Sequence, residues 1–100
     1  MSSMQQMMAQ AQKMQRELAK AQAELAESEF EITKGGAVTV SMRGDRTLLS
    51  VSIDKDILDP ESKEILENLV LLAINELLDA IKQEEIEINE RVTGSARGLF

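Results

Sequence analysis

The sequence predicts an α+β fold of one domain, ordered helix–strand–strand–strand–helix, and three observations carry that prediction. Residues 3–27 hold no Gly, Pro or β-branched side chain and repeat apolar residues at helical spacing. Residues 29–53 alternate apolar and polar side chains in three short runs separated by glycines. A second long apolar segment then opens behind Asp59-Pro60.

The first helix is expected from about Ser3 to Glu27. Met4, Met7, Ala11, Met14, Leu18, Ala21 and Leu25 recur at alternating spacings of three and four, a coiled-coil seam sustained for three heptads. At 1.5 Å per residue the helix is roughly 35–40 Å long. Its seam is narrow and made of small or flexible residues, which suits an arm lying along another long helix. The methionines Met4, Met7, Met8 and Met14 read mainly as seam packing, with an adaptable partner surface as the alternative.

Phe30 and Ile32 alternate with Glu29, Glu31 and Thr33, predicting a strand that Gly35 and Gly36 turn into a hairpin. Val38, Val40 and Met42 then alternate with Thr39, Ser41 and Arg43, and Leu49, Val51 and Ile53 with Ser50, Ser52 and Asp54. With Gly44 and Asp45 as a two-residue type II′ loop, Arg43 faces Arg46, Val40 faces Leu49 and Val38 faces Val51. Leu48 is then the one large apolar residue on the other face. The tripeptide Arg43-Gly44-Asp45 is thus read as a turn, not as an adhesion ligand.

Asp59 is an expected N-cap, with Pro60 at the first helical position and Glu61 and Glu64 near the positive end of the dipole. Two apolar stripes run down this second helix, Leu66, Leu69, Val70, Ala73 and Leu77 beside Leu71, Ile74, Leu78 and Ile81. Together they span well over ~200°, about twice what one packed face needs. A three-stranded sheet cannot cover both. The expectation is a homodimer joined through Leu66, Leu69, Val70, Leu71, Ile74, Leu77, Leu78 and Ile81. The helix is expected to end near Gly94, closing a domain of residues 1–94 ahead of a short mobile tail over 95–100 that carries Leu99 and Phe100.

Composition narrows the function. His, Cys, Trp and Tyr are absent, which removes the commonest general base, the usual zinc ligands and most base-stacking rings. An enzyme is not expected, nor a cofactor. Asp54, Asp56 and Asp59 lack the spacing of a calcium loop and read as strand-ending and capping residues, so no metal is expected. No stretch reaches the ~18 apolar residues of a membrane span and no signal peptide is visible, so the chain is expected to be soluble; with no cysteine, an intracellular, cytoplasmic address is allowed but not required. The net charge of −7 sits mostly in residues 61–100, which carry four cations and nine carboxylates.

The order of elements, with "MMAQAQKMQRELAKAQAEL", the glycine pair, "VTVSMRGDRTLLSVSID" and "ILDPESKEILENLVLLAINELLDAI", strongly resembles the YbaB/EbfC family of bacterial nucleoid-associated proteins over residues 4–94. The resemblance implies a tweezer-like homodimer with helical arms, bound to double-stranded DNA in the nucleoid without catalysis. Lys13, Arg16 and Lys20 share one face of the first helix and are the first candidates for phosphate contacts. Arg43 and Arg46, expected on the polar face beside the hairpin turn, and Arg91 and Arg97 near the C-terminus are further candidates. Each has a plainer reading as a solvated charge. The rival function is a protein-interaction clamp working through the Met/Ala seam without DNA.

Overall fold

The computed structural model describes residues 3–95 and contains the expected α–β–β–β–α order. Helix α1 runs Ser3–Glu27, strands β1, β2 and β3 run Glu29–Lys34, Val38–Arg43 and Leu48–Ile53, and helix α2 runs Lys63–Ser95. The strands form one antiparallel sheet in the order β1-β2-β3. Arg97, Leu99 and Phe100 lie outside the described residues, as does all but Ser95 of the expected tail.

Asp54 and Asp59 cap two short 3₁₀ turns between β3 and α2. Asp54 accepts from the Asp56 amide, and Asp59 from the amides of Glu61 and Ser62. Pro60 therefore starts a 3₁₀ turn, and α2 begins three residues later than the capping signal alone suggests.

The core is small. Val38, Val40 and Met42 on β2 pack against Ala73, Leu77 and Ile81 on α2, with Phe30, Ile32, Leu66, Leu69, Val70, Ile74 and Leu78 around them. Leu77 and Ile81, expected between protomers, are thus buried against the chain's own sheet, because α2 lies with that stripe over β1 and β2. The opposite face of the sheet is polar, with hydroxyl pairs Thr33–Thr39 at 2.9 Å and Ser41–Ser50 at 2.5 Å. Beyond the sheet α2 continues, and Ile88 and Val92 are buried where α1 returns antiparallel alongside, Leu25 at the base of that contact. The molecule is elongated, 73 × 20 × 14 Å.

The β2–β3 hairpin differs from the two-residue loop. Val40 pairs with Val51 and Val38 with Ile53, two residues further along β3 than expected. Arg43 donates its amide to the Thr47 carbonyl at 2.8 Å, and Arg46 donates to the Arg43 carbonyl at 2.8 Å, so the loop is Gly44-Asp45-Arg46. The left-handed residue is Arg46, at φ 72°, not Gly44. A bulge then restores the alternation: Ser41 pairs with Ser50 but Met42 with Leu48, leaving Leu49 as the extra residue. Leu48 consequently sits opposite a core residue and not on the polar face.

Gly44 is glycine for another reason. A Cβ there would lie 1.8 Å from the carbonyl oxygen of Leu25 in the last turn of α1. That closeness lets the Gly44 amide donate to the Ser28 carbonyl at 2.8 Å and the Asp45 amide to the Ala26 carbonyl at 3.2 Å. Ser28 bonds back to the Glu24 carbonyl through its own amide and hydroxyl. The hairpin tip therefore serves as the C-terminal cap of α1, whose last turn contains no basic residue.

The loop is tied by Asp45, which accepts from the Thr47 amide at 2.9 Å. Bonds from Thr47, hydroxyl first and amide second, hold the Asp45 carboxyl below the ordinary aspartate range, with the charge of Arg43 adding to them.

Three outcomes follow from this geometry. Gly44→Ala, at fixed protein concentration, lowers the urea midpoint by an amount equivalent to about 3 kcal/mol, since backbone must move to admit the methyl. Gly36→Ala, at φ 64° with open space around it, costs only ~1 kcal/mol, the left-handed penalty alone. Asp45 is lower in pKa when folded, so its contribution is present above the unfolded aspartate range and lost as pH falls through the folded value. Asp45→Asn should therefore flatten the acid limb of a stability-versus-pH curve while changing its neutral part less.

Candidate nucleic-acid interface

Charge is divided along the long axis of the molecule. Residues 3–23 of α1 carry Lys13, Arg16 and Lys20 against Glu17 alone, while the rest of the chain carries eight cations and seventeen carboxylates. The arm is positive and the body strongly negative. Glu24 and Glu27 belong to the base of α1, next to the sheet, while on α2 Glu84, Glu87 and Glu90 lie on the stretch that continues beyond the sheet alongside the end of α1.

On the arm, Met14 and Leu18 are half-buried on the seam, and Arg16 lies two residues from each, about 200° around the helix. Lys13, Arg16 and Lys20 are all exposed on that outer face. Lys13 approaches Glu17 at 4.0 Å, a loose and solvated pair. Arg16 and Lys20 have no ion-pair partner among the described residues. The local spacing read from the sequence is therefore reproduced as one continuous basic strip.

The remaining arginines are placed differently from one another. Arg43 points from the polar face of the sheet and pairs with Asp45 at 3.5 Å. Arg46, expected beside it, instead turns to the helix side and bonds Glu85 of α2, because its left-handed backbone swings the side chain across the loop. Its charge is neutralised, and its task there is to tie the hairpin to α2. Arg91 is exposed on α2, at the rim of an open groove of about 380 Å³ that also receives Glu24, Glu84, Phe30 and Ile88. The six candidates among the described residues thus do not form one patch; only the three on α1 do.

A second surface was harder to read from sequence. Glu76 bonds Lys34 on β1 at 2.5 Å, and Glu85, nine residues on and half a turn around, bonds Arg46 beyond β2. These two ties mark how α2 rolls on the sheet. Leu71, Ile74 and Leu78 lie within about 40° of Glu85 on the helix, hence on the flank toward β3. There, Val51 and Ile53 point to the same side as their core partners Val40 and Val38, yet remain 44% and 37% exposed. Leu71 is 60% exposed. An apolar trough results, floored by β3 and walled by α2, which no described part of the chain covers. Sequence reasoning found its wall but missed its floor; the available signal was the alternating apolar face of a strand at the sheet edge.

The sequence matches the YbaB/EbfC DNA-binding family over residues 1–96. A nucleoid-associated protein of Chloroflexus aurantiacus is 40% identical over 66 residues, which cover 66% of either chain. Another, from Clostridium novyi, is 40% identical over 68 residues, covering 66% of this chain and 60% of the relative. The match thus spans slightly less than two thirds of these relatives' lengths. Among solved structures, the uncharacterized protein HP0035 from Helicobacter pylori superposes with a TM-score of 0.65 at 22% identity, over 79% of this chain and 93% of that one, a likeness of fold.

Proposed function

The chain belongs to the YbaB/EbfC DNA-binding family, and from that membership we propose that it is a nucleoid-associated protein, a homodimer whose α1 arms grip the phosphate backbone of duplex DNA with little sequence preference. The observation that supports this most is the charge division. A protein of net charge −7 can approach a polyanion only through a local positive surface, and α1 carries one that is continuous, exposed and on the face of the helix turned away from α2. Lys and Arg on a helix exterior, without aromatic neighbours or a recognition element shaped for a groove, contact phosphates and carry no base readout.

The dimer is supported by the trough. Leu71, Ile74, Leu78, Val51 and Ile53 form a contiguous apolar surface, and the same patch on a second copy offers matching chemistry about a two-fold axis. Pairing there would leave both arms free, giving six arm cations per dimer. The two protomers act together on one DNA, so binding strength depends on the dimer as well as on the charges.

Two experiments test the reading. Titration of a fluorescent duplex should give affinity that falls with salt along a log–log slope of roughly −5, about 0.9 for each of six phosphates. Lys13/Arg16/Lys20→Ala should abolish binding and that slope, whereas Arg46→Ala should leave both nearly unchanged. Binding that ignores salt and the triple variant, but fails when Met14 or Leu18 becomes polar, would replace DNA with a protein partner. Separately, Leu71→Glu or Val51→Lys should convert the dimer to a folded monomer by sedimentation and weaken DNA binding roughly 10²-fold. A monomeric wild type would refute the dimer.

A further inference from the structure

The coiled-coil seam of α1 is continuous in sequence, but the described residues of the chain cover only half of it. From Met14 onward it is progressively covered, ending at Leu25, which is 7% exposed where α2 supplies Ile88 and Val92. Toward the tip, Met4 is 69%, Met7 50% and Met8 58% exposed, and Ala11 is exposed as well. The same interface thus runs on past the region where α2 packs. Residues 3–12 also contain no charged side chain, in a chain where 29 of 100 residues are charged.

We propose that this tip is a self-association site: the Met/Ala seam over residues 4–11 of one copy packs antiparallel against the same segment of a second copy. The occupant follows from the chemistry. A charge-free surface gives no complement to DNA, to an acidic or basic peptide, or to anionic lipid, and it has no aromatic anchor for a membrane interface. Another copy brings no charge into the contact itself, since residues 3–12 carry none on either arm. Shape agrees with chemistry. With a two-fold axis between Met7 and Met8, Met4 lies over the partner's Ala11, a large side chain opposite a small one, and Met7 meets the partner's Met8. Methionine tolerates the imperfect fit of a short contact.

The tip site is separate from the trough and needs no DNA. If the trough joins protomers, each dimer presents two tips, and isologous tip contacts link dimers into chains.

Sedimentation of the full chain without DNA, across a concentration series, tests this. The expected result is a species larger than the trough dimer that grows with concentration and is lost in Met7→Lys/Met8→Lys, while helix content and melting temperature stay unchanged. The Leu71→Glu background separates the two sites: there, tip pairing should still produce a concentration-dependent dimer. Geometry is read with single cysteines, which the chain otherwise lacks. Mixed Met4→Cys and Ala11→Cys chains should cross-link to each other faster than Met4→Cys chains cross-link among themselves. Absence of the larger species, its survival in the lysine variant, or preferred Met4→Cys self-pairing would overturn the proposal.

Discussion

The contact on which the architecture depends is the docking of the β2–β3 hairpin tip against the end of α1. A helix ends with carbonyls that need donors, and α1 has neither a glycine cap nor a basic residue in its last turn to supply them. The amides of Gly44 and Asp45, together with Ser28, satisfy them from the sheet. The bond pattern does more than terminate a helix. It fixes the angle at which a 25-residue rod leaves the sheet, and only a residue without Cβ allows the approach. Every property of the arm that depends on direction is inherited from this one point.

The second constraint is a shortage of cover. One helix rests on a sheet of three short strands, and it lies over β1 and β2. The ion pairs of Glu76 and Glu85, on opposite sides of α2, hold that placement, though as exposed pairs each contributes about 1 kcal/mol or less. Apolar burial under Ala73, Leu77 and Ile81 does most of the holding. What is left over, on β3 and on one flank of α2, is apolar surface that no described part of the chain covers. The protomer is well packed in its middle and unfinished along one edge.

How far the sequence disclosed this varies with range. Local signals were legible: the bounds of α1 from uninterrupted helix formers, the three strands from alternation, and Asp59 from its place before Pro60. The excess width of the α2 apolar arc was visible too. Which residues within the arc face the sheet was not, because Leu77 and Ile81 are assigned by the roll of the helix, and that roll is set mainly by packing on Val38, Val40 and Met42, far away in sequence. The hairpin register failed for a similar reason. A glycine at the loop suggested a positive φ, whereas its role is steric and lies in a tertiary contact; a three-residue loop and a bulge then give the same face alternation as the simpler loop does. Among the cationic candidates, the helical spacing of Lys13, Arg16 and Lys20 is a local fact and survives folding. The position of Arg46 is not local, and it went to a carboxylate.

The division of charge between arm and body has a kinetic meaning. Such a molecule carries a permanent electric dipole along an axis of 73 Å, so the field of a polyanion exerts a torque on it before any contact forms. If DNA is the target proposed above, encounters would begin already aligned, positive end leading, and the orientational search that slows most macromolecular associations would be shortened. The acidic body contributes by being turned away: its repulsion is the other half of the couple. Excess negative charge in this chain is then a rudder, and neutralising it would slow alignment even though no carboxylate of the body touches the target.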